Sequence, residues 1–178
     1  MSKASNVVAN MKKMEEARNE RRRLAEEKKE NKVERAKRNE MEGKICDVDF
    51  QELIENEKKV VGKALNHVSS AKMRICICIR KRPLFAKETA NGEIDSASMC
   101  NPKVIIHEPK VKVDGITKFV NNSSFEFDNT YSEAEPSHSV YEYQIKHLLP
   151  TLFKEGVVTC FAYGQTGSGK TFTVNSIN

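Results

Sequence analysis

Gly164-Gln165-Thr166-Gly167-Ser168-Gly169-Lys170-Thr171 fits G-x-x-x-x-G-K-[ST], a spacing suited to holding nucleotide phosphates. Glycines at 164, 167 and 169 let the backbone turn tightly and aim N–H groups at an anion. The N-terminus of a following helix adds a favourable dipole. Lys170 is a mobile cation for the β- and γ-phosphates, and Thr171 offers a hydroxyl to Mg²⁺. The loop from 164 to 171 is therefore the expected phosphate site. The alternative is a glycine-rich turn with no ligand. The apolar run before the loop and the helix-compatible residues after it favour the phosphate site.

The elements that must position this loop can be read outward from it. Val157 to Tyr163 is a continuous apolar run and predicts a buried strand of the parallel-sheet type. Residues 138–154 predict a helix presenting Tyr141, Ile145, Leu148, Leu149, Leu152 and Phe153 on one face, kinked at Pro150 and closed by Gly156. Further upstream, 73–79 reads as a buried strand ended by Pro83, and 88–101 as loop. Lys103–His107 and Ser124–Phe127 read as strands. Lys110–Val120 reads as a hairpin turning at Asp114-Gly115. A helix over 49–65 with Phe50, Leu53, Ile54, Val60, Val61 and Leu65 on one face leads into this part, through a short linker at 69–71.

Five cysteines at 46, 76, 78, 100 and 160 are odd in number and irregular in spacing, so a reducing compartment is expected. Cys76-Ile77-Cys78 has no second Cys or His pair to complete a zinc site, and reads as part of the strand. The 178 residues are 38% hydrophobic and 31% charged with no Trp, which suits a modest core attached to a solvated segment. No secretory leader is recognisable, and no apolar stretch approaches the roughly 20 residues that cross a bilayer. A soluble, intracellular chain with no membrane partner is the expectation.

The net charge of +5 lies entirely in residues 1–44, which hold 14 Lys/Arg against 9 Asp/Glu, while 45–178 hold 16 of each. The segment from Asn10 to Gly43 has no Pro and no internal Gly, and pairs such as Arg22–Glu26 and Glu34–Arg38 fall at helical spacing. Met11, Met14, Leu24, Val33 and Met41 sustain no clean heptad, so a lasting coiled coil is not expected. Such a helix is either simply solvated or a basic arm for an acidic polymer. Nucleic acid and the acidic surface of a microtubule fit equally well on charge.

Beyond the generic loop, Thr159-Cys160-Phe161-Ala162-Tyr163 and the residues that follow resemble the signature of kinesin motor domains, F-A-Y-G-Q-T-x-S-G-K-T. Arg80-Lys81-Arg82-Pro83 resembles that family's R-x-R-P adenine motif at the end of its first core strand. The resemblance implies an α/β P-loop NTPase fold: a partial central sheet with flanking helices, preceded by a long charged α-helix. It implies ATP and Mg²⁺ as ligands, with Arg80, Arg82 and Pro83 lining the adenine and Phe172 near its edge. It also implies an ATP hydrolase that moves on microtubules, hence tubulin as partner and a cytoplasmic, cytoskeletal or spindle location. An unrelated P-loop NTPase would leave the R-x-R-P strand unexplained.

His107-Glu108-Pro109-Lys110-Val111-Lys112-Val113-Asp114 resembles the loop-2 finger of the internal-motor, microtubule-depolymerising kinesins, the kinesin-13 family, whose finger carries K-V-D at its tip. Lys112, Val113 and Asp114 are thereby expected to touch tubulin. The implied organisation is a basic neck over 1–44, a helical linker over 45–71 and motor domain over 72–178. Pairing of two chains would run through segments outside these residues.

The resemblance departs after Thr173, and neither the N-x-x-S-S-R nor the D-L-A-G-S-E switch of the family occurs in the 178 residues. A fragment without ATPase activity of its own, its sheet edge uncovered and prone to aggregate, is the expectation. The competing reading is a non-enzymatic microtubule- or nucleic-acid-binding protein that uses only the arm and keeps a relic loop.

Overall fold

The structure is a computed structural model that describes residues 3–176. Helix α1 (Lys3–Met41) carries its opposite charges at i, i+4 spacing, and between 10 and 31 every side chain faces solvent. Among the described residues, only its last turns find a partner. Lys32 pairs with Asp49 at 2.6 Å and Arg35 with Glu55 at 2.8 Å. Asn39, buried, donates to Gln51 Oε1 at 3.0 Å and to Cys46 Sγ at 3.1 Å. Gly43, at φ 67°, then turns the chain into helix α2 (Val48–Val60).

Asp47 caps α2 by accepting from the N–H groups of Asp49 and Phe50. Ile54 is the buried residue of its apolar face. The expected continuation to Leu65 does not occur. Gly62 follows Val60 closely, and Val60 and Leu65 both lie exposed. Residues 62–69 instead run as an extended strap. Asn101 donates to the carbonyls of Leu65 and Asn66, while Asn129 brackets Val68, accepting from its N–H at 2.9 Å and donating to its carbonyl at 2.7 Å. Two asparagines thus do for this strap what a neighbouring strand would do.

Strand β1 (Cys78–Arg80) is much shorter than the expected 73–79 and pairs in parallel with β5 (Asn129–Tyr131), an element the sequence reading missed. Ile75 and Ile77 are exposed rather than buried, because among the described residues β1 has a strand on one edge only. The stretch expected to be loop holds two elements, helix α3 (Ala86–Ala90) and strand β2 (Ala97–Cys100). Their small polar residues hid a short edge strand. Ser98 hydroxyl meets His107 Nε2 at 2.7 Å, so polarity there marks a buried polar contact and not a loop.

Strands β2, β3 (Lys103–Val111) and β4 (Lys118–Glu126) form an antiparallel meander, with the expected 103–107, hairpin and 124–127 pieces fused into one long ribbon. β2 covers β3 only as far as Ile106, so Pro109 falls where β3 has a free edge and its missing N–H costs no ladder bond.

The expected helix over 138–154 is broken into α4 (Ser137–Val140), a π-helical turn (Tyr141–Ile145) and α5 (Leu149–Phe153). Pro150 has no N–H to bond back across the junction, which explains the break before α5. The buried face is set by Val140 and Gln144, the latter donating to Tyr131 hydroxyl at 2.9 Å, whereas Leu152 and Phe153 are exposed. Glu155 (φ 60°), not Gly156, takes the left-handed position after α5.

Val157–Tyr163 forms no strand and is exposed, Phe161 at 81%, correcting the expected buried strand. Apolar character buries a segment only where neighbours exist to cover it, and among the described residues no strand pairs here. The last element, α6, spans Lys170–Asn175. The described parts of the chain therefore make helices and two small sheets rather than one central sheet, an arrangement consistent with a portion of an α/β P-loop NTPase. Among the described residues, no helix is long and apolar enough to cross a membrane, and no metal-binding cluster is found.

Candidate nucleotide site

Three glycines of the loop occupy backbone conformations that side chains resist. Gly164 has φ 155°, Gly167 φ 83° and Gly169 φ 93°, the last as N-cap of α6. A Cβ on Gly164 would meet Ser168 Oγ at 2.5 Å. The glycine pattern thus corresponds to a cradle that other residues would fill or strain. Lys170 folds over this cradle, its ammonium donating to Gly164 O at 2.8 Å and Gln165 O at 2.7 Å. Gln165, Thr166 and Ser168 line the exposed turn, and Thr171 stands in the first turn of α6 with its side chain exposed. A backbone cradle, one cation and one hydroxyl fit a Mg²⁺–phosphate group.

The residues expected beside the adenine divide into two groups. Arg80 reaches the loop's own helix: its guanidinium lies 5.2 Å from the Phe172 ring centroid and Nη1 donates to Thr173 Oγ1 at 3.4 Å. Its Nη2 is held by Ser137 Oγ at 2.7 Å. Arg82 turns away from Phe172. It forms a two-pronged pair with Glu88, at 2.7 and 2.5 Å, and lies over the Phe85 ring at 4.2 Å. Arg82 still borders the cradle, because a Cβ on Gly169 would lie 4.0 Å from its Cβ. Pro83 supplies a carbonyl that accepts from Arg82 Nη1 at 2.9 Å.

Glu88 also accepts from Phe85 N–H at 2.8 Å, tying the start of α3 to the Arg80–Pro83 segment. Arg82, and then that N–H, hold its carboxyl down at about 2. Glu88 and Phe85 were not foreseen as part of the site. The signal available was the spacing of a carboxylate six residues after Arg82, which carries little weight by itself.

The finger is a formed hairpin whose tip is remote from the cradle in sequence and in its contacts. Asp114 shapes the turn by accepting from the N–H groups of Ile116 and Thr117 and from Thr117 hydroxyl, and these bonds lower its pKa. Val113 has no cover at all, its exposure reaching 108%. At the hairpin base Lys118 is held by Asp47 and Asp49, at the start of α2, and lies 5.1 Å from the Phe50 ring centroid.

Residues 80–178 match the family described as the kinesin motor domain. The diatom spindle kinesin-1 of Cylindrotheca fusiformis is 38% identical over 174 residues, covering 92% of this chain and 27% of that protein. The chain therefore spans about a quarter of the length of that relative. A match over 92% of the chain must also reach upstream of Arg80, into the strap and neck. On both the motor-domain match and this extended identity, the chain belongs to the kinesin family.

Proposed function

We propose that this chain provides the ATP-phosphate site and part of the tubulin-contacting surface of a microtubule motor ATPase. The observation that carries the reading is the cradle of Gly164, Gly167 and Gly169 under Lys170, abutting the Arg80–Phe172 contact. In this assignment the N–H groups of 164–169 and the Lys170 ammonium hold the phosphates, and Thr171 hydroxyl faces Mg²⁺. Arg80, Arg82 and Pro83 flank the adenine on one side and Phe172 on another. Bound Mg²⁺ would offset phosphate charge. No catalytic residue is assigned within these 178 residues. Titration of the chain with a fluorescent ATP analogue, with and without Mg²⁺, tests the reading. Absence of saturable binding defeats it.

A finer assignment, to the microtubule-depolymerising kinesin-13 type, rests on the finger. Lys112, Val113 and Asp114 place a cation, an uncovered apolar side chain and an anion at the end of a stiff ribbon. The same assignment gives residues 1–44 the role of a basic neck attracted to the acidic microtubule surface, 45–71 that of linker and 72–178 that of motor domain. A cytoskeletal or spindle location and pairing of two chains through other segments follow from it. Nucleic acid is the less favoured partner for the arm.

A further inference from the structure

The linker helix α2 and the adenine segment share one carboxylate. Lys58, in the last turn of α2, and Lys81, between Arg80 and Arg82, both donate to Asp95 Oδ2, at 2.6 and 2.7 Å. Lys81 is mostly enclosed and also donates to Ala97 O at 2.9 Å and Glu133 Oε1 at 3.1 Å. Its own N–H continues the β1–β5 ladder by donating to Tyr131 O at 2.9 Å. In extended backbone, alternate side chains point to opposite faces. Anchoring Lys81 on one face therefore fixes the backbone of its neighbours on the other, where Arg80 meets Phe172 and the Arg82 Cβ borders Gly169.

A second contact brings the linker to the same short segment. Gly92, at φ 80°, lies so close to the α1–α2 connection that a Cβ there would sit 1.9 Å from Ile45 O. Residues 92–95 are thus gripped by linker backbone at one end and by Lys58 at the other. The seam is not fully packed. It keeps a cleft of about 190 Å³ lined from both sides, by Cys46, Gln51, Ile54 and Lys58 of the linker and by Gly92 and Asp95 opposite. Ion pairs and one backbone contact hold this seam around the buried Ile54.

We propose that Asp95 couples docking of the linker helix α2 to the setting of the Arg80–Pro83 segment, so that nucleotide binding and the docked α2 strengthen one another. The inference rests on the assignment of that segment and the 164–171 loop to nucleotide. A docked Lys58 and Ile45 hold 92–95 in place, Asp95 then holds Lys81, and Lys81 sets the backbone from which Arg80 reaches Phe172 and on which the Arg82 Cβ borders Gly169. Linkage requires the effect to be equal in both directions.

The test is hydrogen exchange of the Val48–Val60 amides in the 178-residue chain, with and without a non-hydrolysable ATP analogue and Mg²⁺, alongside the analogue's affinity. The analogue should slow exchange in α2 by about fivefold, the lower end of allosteric couplings. Lys58→Met should abolish that slowing and weaken the analogue by the same factor, and Lys58→Arg should restore both. Asp95→Asn, of nearly the same shape, should behave as Lys58→Met. Lys170→Ala should lose the analogue while leaving the basal protection of α2 unchanged. Analogue binding with no change in α2, or full affinity in Lys58→Met, overturns the coupling and leaves the nucleotide site standing. No analogue binding by the parent chain overturns the nucleotide assignment and the coupling with it. Lys58→Met and Lys58→Arg touch only the rim of the fold, so a variant at Asp95 that fails to fold leaves the test decisive.

Discussion

Lys170 and Gly164 close the phosphate loop between them, the ammonium donating to the carbonyl at 2.8 Å and to Gln165 O beside it. The cation that would meet a nucleotide is thus already directed into the loop. Replacing it should leave the fold intact, since its contacts are with exposed backbone carbonyls. Lys170→Ala is expected to lower affinity for a fluorescent ATP analogue by roughly 10- to 100-fold, as for loss of a hydrogen bond to a charged group. Equal affinity in mutant and parent would refute the phosphate assignment.

The glycines make a second, steric prediction. Gly169→Ala places a side chain at φ 93°, and Gly164→Ala drives a Cβ to 2.5 Å from Ser168 Oγ. Left-handed backbone costs a non-glycine residue about 1–2 kcal/mol. Both variants should bind the analogue more weakly, with far-ultraviolet circular dichroism unchanged. Gly115→Ala, in the finger turn at φ 70°, is the control and should leave nucleotide binding unaltered.

Glu88 supplies a pH signature. Its carboxyl is held at about 2 in the folded chain against a model-peptide value of 4.5. A depressed folded value means the Arg82–Glu88 pair stabilises fully above about pH 4.5 and loses that contribution as pH falls toward 2. A carbon-detected NMR titration should find Glu88 ionised well below the other glutamates. Glu88→Gln should flatten the acid dependence of stability in that window. A Glu88 midpoint near 4.5 would show that the pair does not persist in solution.

The finger residues should separate by role. Val113 touches nothing in this chain, so Val113→Ala is expected to leave thermal stability within about 0.5 kcal/mol. In the complete motor it should nonetheless reduce shortening of stabilised microtubules. Replacing Lys112, Val113 and Asp114 together by Ala should largely abolish shortening and spare ATP binding. Because Asp114 builds the turn, Asp114→Asn distinguishes loss of its charge from loss of the hairpin. Shortening at the parent rate by the triple variant would remove the depolymerase assignment without touching the kinesin one.

The arm should act by charge. Cosedimentation of residues 1–44 with microtubules is expected to be weak and to fall steeply as salt nears physiological strength, where the Debye length is about 8 Å. Insensitivity to salt would point to apolar docking instead.

The backbone of the 164–169 loop was legible in the sequence because what shapes it is local. Gly164, Gly167 and Gly169 need particular backbone angles, and Lys170 and Thr171 need a fixed place after them, whatever surrounds them. The charged helix and the Asp114-Gly115 turn were legible for the same reason, since neighbours within a few residues determine both. Burial was not. Ile75, Val157 and Phe161 have the composition of core strands and lie exposed, because a strand is buried by partners that its own residues do not encode. Gln144 and Asn129, polar in sequence, are buried because Tyr131 and the Val68 backbone come to meet their amides. Arg80 and Arg82 look equivalent in R-x-R-P, yet Ser137 and Phe172 hold one while Glu88 and Phe85 hold the other. The sequence by itself determined the glycine backbone of the loop and the family. Tertiary structure decided which side chains stand beside it and that α2, through Lys58 and Asp95, reaches Lys81. Such contacts join residues far apart in the chain, and no local pattern specifies them.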